Sequence, residues 1–216
     1  MRFASFLASS GLVALAWASG SADNATARMF TSSGTADQGF TIPEELPEGV
    51  YSVKVDESGM AHHTRVGDIS GPFVNAEPEP DVVARSSTPR TPSRLQKRYW
   101  GYECKDHIKM QSAPTDRAVA ALRKTCGKGL LAFAGTHHYA IANGDGQRIA
   151  AFYCRHAGSG YCTDEETRYR YESITGVCGL YSEGWSDWWD GRFSQMAIGY
   201  HPVNPRGAFC GRNHDQ

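Results

Sequence analysis

The sequence predicts an α+β fold in which two helices lie on one antiparallel sheet, forming a two-layer sandwich stapled by disulfides. Three observations lead to this prediction. All six cysteines lie between Cys104 and Cys210, so the stapled domain occupies the second half of the chain. Two segments with helix start and stop signals flank a hairpin signal there. Alternating residues over 193–201 then predict a late strand.

The first predicted helix opens at residues 114–116, where Thr115 is a suitable N-cap, and ends at Gly127. The second helix opens at the capping box of residues 163–166 and closes at Gly176. Three residues at helical spacing form its expected buried stripe: Thr167, Tyr171 and Ile174.

The hairpin is predicted from the turn-forming residues 143–146, Asn-Gly-Asp-Gly, which separate strands over 139–142 and 148–154. Residues 149–154 are apolar at every position, which predicts a central strand.

The first 98 residues contain no cysteine and are predicted to precede the working domain. Residues 1–18 have a basic start, an apolar stretch and a small-x-small ending, which is the pattern of a secretory signal peptide. Residues 19–98 are rich in acids, prolines and serines and are expected to form a largely disordered pro-segment. Within it, residues 49–55 alternate like a strand and 57–59 suit a turn, and Asn24 fits the N-glycosylation pattern.

Lys97 and Arg98 form the only Lys-Arg pair in the chain. The pair ends a linker-like stretch and directly precedes the cysteine-bearing part, which is the position expected for cleavage by a kexin-type processing protease. The mature domain would then span residues 99–216, and the route would be secretion to the extracellular space.

Charge and composition limit the function classes. Twenty-two basic and 23 acidic residues give a net charge of −1, so no nucleic-acid partner is expected. A content of 40% hydrophobic and 21% charged residues is typical of globular proteins.

Six cysteines in a secreted chain predict three disulfides, with 15 possible connectivities. The alternative role for these cysteines is a zinc site, but the Cys-x-x-Cys motif typical of such sites is missing from the sequence. Neither a metal nor a cofactor is therefore expected.

Candidate catalytic residues are few. His138, Arg155 and His156 flank the predicted hairpin and could supply the base, acid and cation that a small ribonuclease needs. The alternative is that they are solvated or hydrogen-bonded surface groups. No spacing in the sequence requires catalysis, so a binding function is favoured and a ribonuclease-type hydrolase is the alternative.

Trp185, Trp188 and Trp189 lie between glycines and aspartates, which predicts a projecting surface loop. The rings would form a binding platform, and a glycan-binding module is a further alternative function. The opposing interpretation is that these rings fill the core.

Several motifs together resemble the fungal killer-toxin-like family, and more loosely the extracellular necrosis-inducing effectors of fungal pathogens. They are a helix ending in Cys126-Gly127, the Tyr/Ala-rich hairpin, residues 177–181 and 191–200, and a last Cys210. The resemblance implies a secreted toxin or effector without a catalytic centre, acting on a host or competitor cell. It also implies a disulfide pairing: Cys104 with Cys178, Cys126 with Cys210, and Cys154 with Cys162.

Overall fold

The main feature of the described chain is one curled antiparallel sheet of nine strands, which forms a half-barrel. The structure is a computed structural model, and it describes residues 29–35, 37–69, 99–127, 129–189, 194–203 and 207–211. The predicted signal peptide, Asn24, Lys97 and Arg98 lie outside the described residues.

Eleven strands and two helices are present in the described residues, in this order: β1 Phe30–Thr35, β2 Gly39–Phe40, β3 Gly49–Val55, β4 Met60–Gly67, β5 Tyr99–Lys109, α1 Ser112–Cys126, β6 Leu130–Phe133, β7 Thr136–Asn143, β8 Arg148–Arg155, β9 Ser159–Cys162, α2 Asp164–Cys178, β10 Ser182–Trp189 and β11 Ser194–Pro202. The large sheet has the order β2-β1-β4-β3-β7-β8-β11-β10-β5, and β6 pairs with β9 in a small second sheet. None of the helices in the described ranges is long and apolar enough to span a membrane.

The predicted sandwich of two helices on a sheet is wrong. The expectation of disorder before it is also wrong for residues 29–35 and 37–69, the part of that segment that the structure describes. Strands β1 to β4 come from that segment and extend the sheet to nine strands. As a result, 51% of the described residues are in strands. The sheet carries a core on each face. Helices α1 and α2 cover only one of them, through buried residues such as Leu122 and Ile174. The second core contains Phe40 and Tyr51 from the N-terminal segment, packed with Phe209 from the C-terminal end.

Local signals placed several elements correctly. The strand at Gly49–Val55 is confirmed, and it is followed by a turn in which Asp56 accepts hydrogen bonds from the backbone N–H groups of Ser58 and Met60. Gly59 in this turn has a φ of 80°, a conformation that favours glycine. The hairpin of β7 and β8 is also confirmed.

Both predicted helices are present, with shifted ends. Helix α1 begins at Ser112, before the predicted start, and Thr115 is a buried residue inside it whose hydroxyl donates to the Gln111 carbonyl. Helix α2 has the predicted cap, because the Thr163 side chain accepts from the Glu166 N–H at 3.1 Å. It continues past Gly176 to Cys178, and its predicted stripe is buried.

All six cysteines form disulfides in the structure. The pair Cys104–Cys178 is confirmed, but the other two implied pairs are wrong. The observed pairs are Cys126–Cys162 and Cys154–Cys210. The reason is the sheet itself: Cys126 and Cys162 lie in the core under the helices, whereas Cys154 and Cys210 lie in the core on the opposite face.

Candidate functional site

The tryptophan segment is a strand and not the predicted loop. It forms β10, which pairs with β11 on one side and with β5 on the other. Trp188 packs against the core under the helices, whereas Trp185 is buried in the opposite core with 7% of its surface exposed. Because side chains alternate along a strand, the side chain of Trp189 lies on the same face of the sheet as that of Trp185 and on the opposite face from that of Trp188. The three rings therefore do not share a surface.

The cost of burying the aspartate between these rings is offset by a partner. Asp187 is only 4% exposed, and its carboxylate accepts a hydrogen bond from the Ser194 hydroxyl at 3.1 Å. Since β11 brings Ser194 close to it, burial of this acid does not require the segment to face water.

The three candidate catalytic residues are divided by the sheet. His138 and Arg155 point to the helix side, since their strand neighbours Ala140 and Tyr153 lie in that core. The ring of His156 instead lies 5.7 Å from that of His137, which sits on the opposite side. Burial lowers the pKa of His138, which favours its neutral form. The structure does not bring an acid, a base and a cation to one place from this set.

A different group of side chains does converge, on the helix side near the end of the sheet where β5 is the last strand. We call it the aromatic–arginine patch, and its members come from four elements: Trp100 of β5, Tyr153 and Arg155 of β8, Glu166 and Arg170 of α2, and Trp188 of β10.

The two tryptophans form the base of the patch. Trp100 and Trp188 are directly opposite each other in the register of β5 and β10, and their rings stack with centroids 6.3 Å apart. The Arg170 guanidinium carbon lies 3.2 Å from the centre of the Trp100 ring, a cation–π contact. Burial lowers the pKa of Arg170, and this is opposed by Tyr102, which also hydrogen-bonds with it. Helix α2 thus holds the Trp100 side of the stack through Arg170.

The second cation of the patch is Arg155, whose guanidinium lies 6.0 Å from the Trp188 ring. It is held in place by donating to the Ser159 carbonyl at 2.9 Å. Its neighbour Tyr153 is buried, which raises the pKa of that phenol to about 12. Tyr153 is therefore a neutral hydrogen-bonding group at any physiological pH.

The acid of the patch is Glu166 in the first turn of α2. Burial raises the pKa of its carboxyl, and the positive charges of Arg170 and Arg155 oppose this increase. A half-buried carboxyl facing two guanidiniums can accept hydrogen bonds from hydroxyl or amide donors of a ligand. Sequence reasoning missed Trp100, Glu166 and Arg170, because only the tertiary fold brings these elements together.

A buried cluster on the opposite face has the composition of a metal site. The side chains of His137, Cys154 and Cys210 offer atoms within 4.8 Å of one another. The two sulfurs are joined in a disulfide, however, and the metal-binding form of cysteine is the thiolate. The cluster is therefore a structural element in its present oxidised form.

The patch combines stacking surface, two fixed cations and a hydrogen-bonding acid on strands and a helix tied by the Cys104–Cys178 disulfide. This chemistry suits recognition of a ligand. No protein-family model, curated protein or solved structure matches the chain.

Proposed function

We propose that this protein is secreted and acts by binding a component of a host or competitor cell surface, in the manner of an effector or toxin, and that the aromatic–arginine patch is its binding surface. The observation that carries the proposal is the pairing of stacked Trp100 and Trp188 with Arg170 and Arg155 at half-buried positions. Tryptophan, tyrosine and arginine are the residue types that dominate binding energy in protein interfaces.

The surroundings of the patch support the proposal. Tyr102 and Tyr169 are 39% and 58% exposed, and both adjoin Arg170. Aromatic rings exposed next to a fixed cation supply contact area with little loss of side-chain freedom. The three disulfides are compatible with an extracellular protein and hold the strands and helix rigidly. A binding site on such a frame loses little entropy when it is occupied.

The test compares two arginines of helix α2. Arg170 belongs to the patch, whereas Arg168 is exposed and faces Glu172 at 3.9 Å. We expect Arg170→Gln to weaken binding of the fluorescently labelled protein to target cells by about tenfold or more. Arg168→Gln removes the same charge from an exposed position of the same helix and should leave binding within about twofold, as exposed charges contribute little.

Two outcomes would contradict the proposal. The first is equal binding by Arg170→Gln and Arg168→Gln proteins whose circular dichroism matches that of the wild type. The second is RNA cleavage by the purified protein that disappears in a folded His138→Asn variant. Cells treated with proteases or with glycosidases identify whether the component bound is a protein or a glycan.

A further inference from the structure

The N-terminal segment, residues 29–69, is joined to the cysteine-bearing part through the centre of the sheet. Strand β3 pairs with β7 over six residues, from Gly49 opposite Ile141 to Lys54 opposite Thr136. A second backbone junction lies elsewhere: Phe40 and Phe209 exchange both of their N–H to carbonyl hydrogen bonds, each at 2.9 Å. Two separate junctions fix the position of the segment.

Buried side chains also pack across the boundary between residues 29–69 and the cysteine-bearing part. Tyr51 stacks on Tyr139 with ring centroids 5.4 Å apart, and Phe40 meets Phe209 edge to face at 5.2 Å. His63 hydrogen-bonds to the Tyr139 hydroxyl at 2.7 Å. All five residues are 5% exposed or less. The boundary therefore has the character of a protein core and not of a contact between a domain and a linker.

Charged groups on the cysteine-bearing side also hold the segment. Arg148 donates to the carbonyls of Glu44 and Leu46 at 3.0 and 2.8 Å. Arg117 forms an ion pair with Glu48 at 2.9 Å. A guanidinium that bridges several backbone carbonyls fixes their geometry, because its donors are arranged in a rigid fork.

No covalent bond other than the main chain crosses this boundary. All six cysteines lie between Cys104 and Cys210, so residues 29–69 carry none. We propose that residues 29–69 are a permanent, noncovalently bound half of the fold, and that processing between residues 70 and 98, as predicted at Lys97-Arg98, produces a two-chain protein and not a shed pro-segment.

The alternative, release of the segment, would be costly for the remaining chain. It would leave β7 with an unpaired backbone edge and uncover the rings of Tyr139 and Phe209. Unpaired strand edges and contiguous apolar surface both promote aggregation. The partner that fits this surface is the chain's own N-terminal segment. This inference does not depend on the binding function proposed above.

The test cuts the full-length chain once between the two halves. Residues 86–93 are replaced by the recognition sequence of a sequence-specific protease, and the cut protein is examined by size-exclusion chromatography and native mass spectrometry. We expect the two pieces to elute together as a one-to-one complex, with the near-ultraviolet circular dichroism of the uncut chain. A denaturing gel without reductant should separate them. Elution of the smaller piece alone, or loss of the circular dichroism signal after the cut, would overturn the proposal.

A matched pair of arginine variants tests the boundary itself. In the cut protein, Arg148→Ala removes contacts that cross it and should raise the dissociation constant of the two pieces about tenfold or more. Arg65→Ala removes contacts to Glu48 and Asp68 that lie inside the N-terminal segment, and should change the constant about twofold or less. Equal weakening by both variants would contradict the assigned interface.

Discussion

His63 makes the stability of this fold depend on pH in the mildly acidic range. The imidazole is fully buried in β4 between Ser32 and Tyr139, with hydrogen bonds of 2.9 and 2.7 Å. The Ser32 hydroxyl donates its proton to the Thr41 carbonyl, so it accepts from the Nε2–H of His63. Nδ1 is then the acceptor for the Tyr139 hydroxyl, and both nitrogens of the neutral ring are satisfied.

Protonation would add a second donor at Nδ1 in this buried position. Burial, assisted by the nearby His62, lowers the pKa of His63 from 6.5 to about 4. Between these values the unfolded chain binds a proton that the folded chain does not, so the free energy of unfolding falls as the pH falls. The expected loss is about 1.2 kcal/mol at pH 5.5 and about 2.8 kcal/mol at pH 4, relative to pH 7.

The assay is urea denaturation of the wild type and a His63→Gln variant at several pH values between 7 and 4. Glutamine keeps a donor and an acceptor but does not titrate, so the variant should be less stable at pH 7 and show a shallower pH dependence. His62→Gln is the control, because His62 is half-exposed and pairs with Asp56 at 2.8 Å. It should retain most of the wild-type slope between pH 6.5 and 4, because burial, the largest cause of the lowered pKa of His63, is unchanged in this variant. Parallel curves for the wild type and His63→Gln would refute the reasoning.

Three further predictions concern the architecture. Phe40→Ala should lower the free energy of unfolding of the full chain by about 3–5 kcal/mol in urea, since the ring is 1% exposed; a loss below about 1 kcal/mol would mean that the N-terminal segment is not core. Peptide mapping without reductant should recover Cys126 joined to Cys162, and replacing both by serine should cost about 4 kcal/mol for a separation of 36 residues. Gly199→Ala should cost about 3 kcal/mol or more in thermal unfolding, because its Cβ would lie 2.4 Å from a side chain of β10. At Gly176 in α2 an added Cβ meets open space, so Gly176→Ala should raise the free energy of unfolding by about 0.5–1 kcal/mol. Similar effects at the two glycines would disprove the close packing of Gly199 against β10.

Elements with local signals could be predicted from the sequence. Helix α2 is an example, because its capping interaction joins residues only three apart, Thr163 and Glu166. The place of β3 in the fold could not be predicted in this way. Its alternation was visible, but its partner β7 lies far along the chain, and nothing local indicates that pairing.

The tryptophan strand was misassigned for an instructive reason. Gly184 suggested the boundary of a loop, yet it lies within β10, where a Cβ would approach the Cys178 sulfur to 2.8 Å. Glycine is present there because the strand packs closely against a disulfide and not because the chain turns. Sequence alone does not distinguish these two uses of glycine. The patch was likewise not predictable, since Trp100, Arg155 and Arg170 belong to separate elements.

The sheet determines which combinations of side chains can act together in this protein. Its two faces carry separate cores, so residues adjacent in sequence, such as His137 and His138, are separated by the full thickness of a strand. Histidine clusters inferred from sequence proximity therefore divide between the faces, and so do the tryptophans of β10. The opposite holds at the edge strand β5, where α2 closes over the sheet and places Arg170 against Trp100. Residues 29–69 are joined to the rest of the fold through the second core, on the opposite face of the sheet. The patch near β5, with its polar and aromatic side chains, is therefore not needed to hold the two parts of the fold together. That independence is why substitutions such as Arg170→Gln can test recognition while leaving the fold intact.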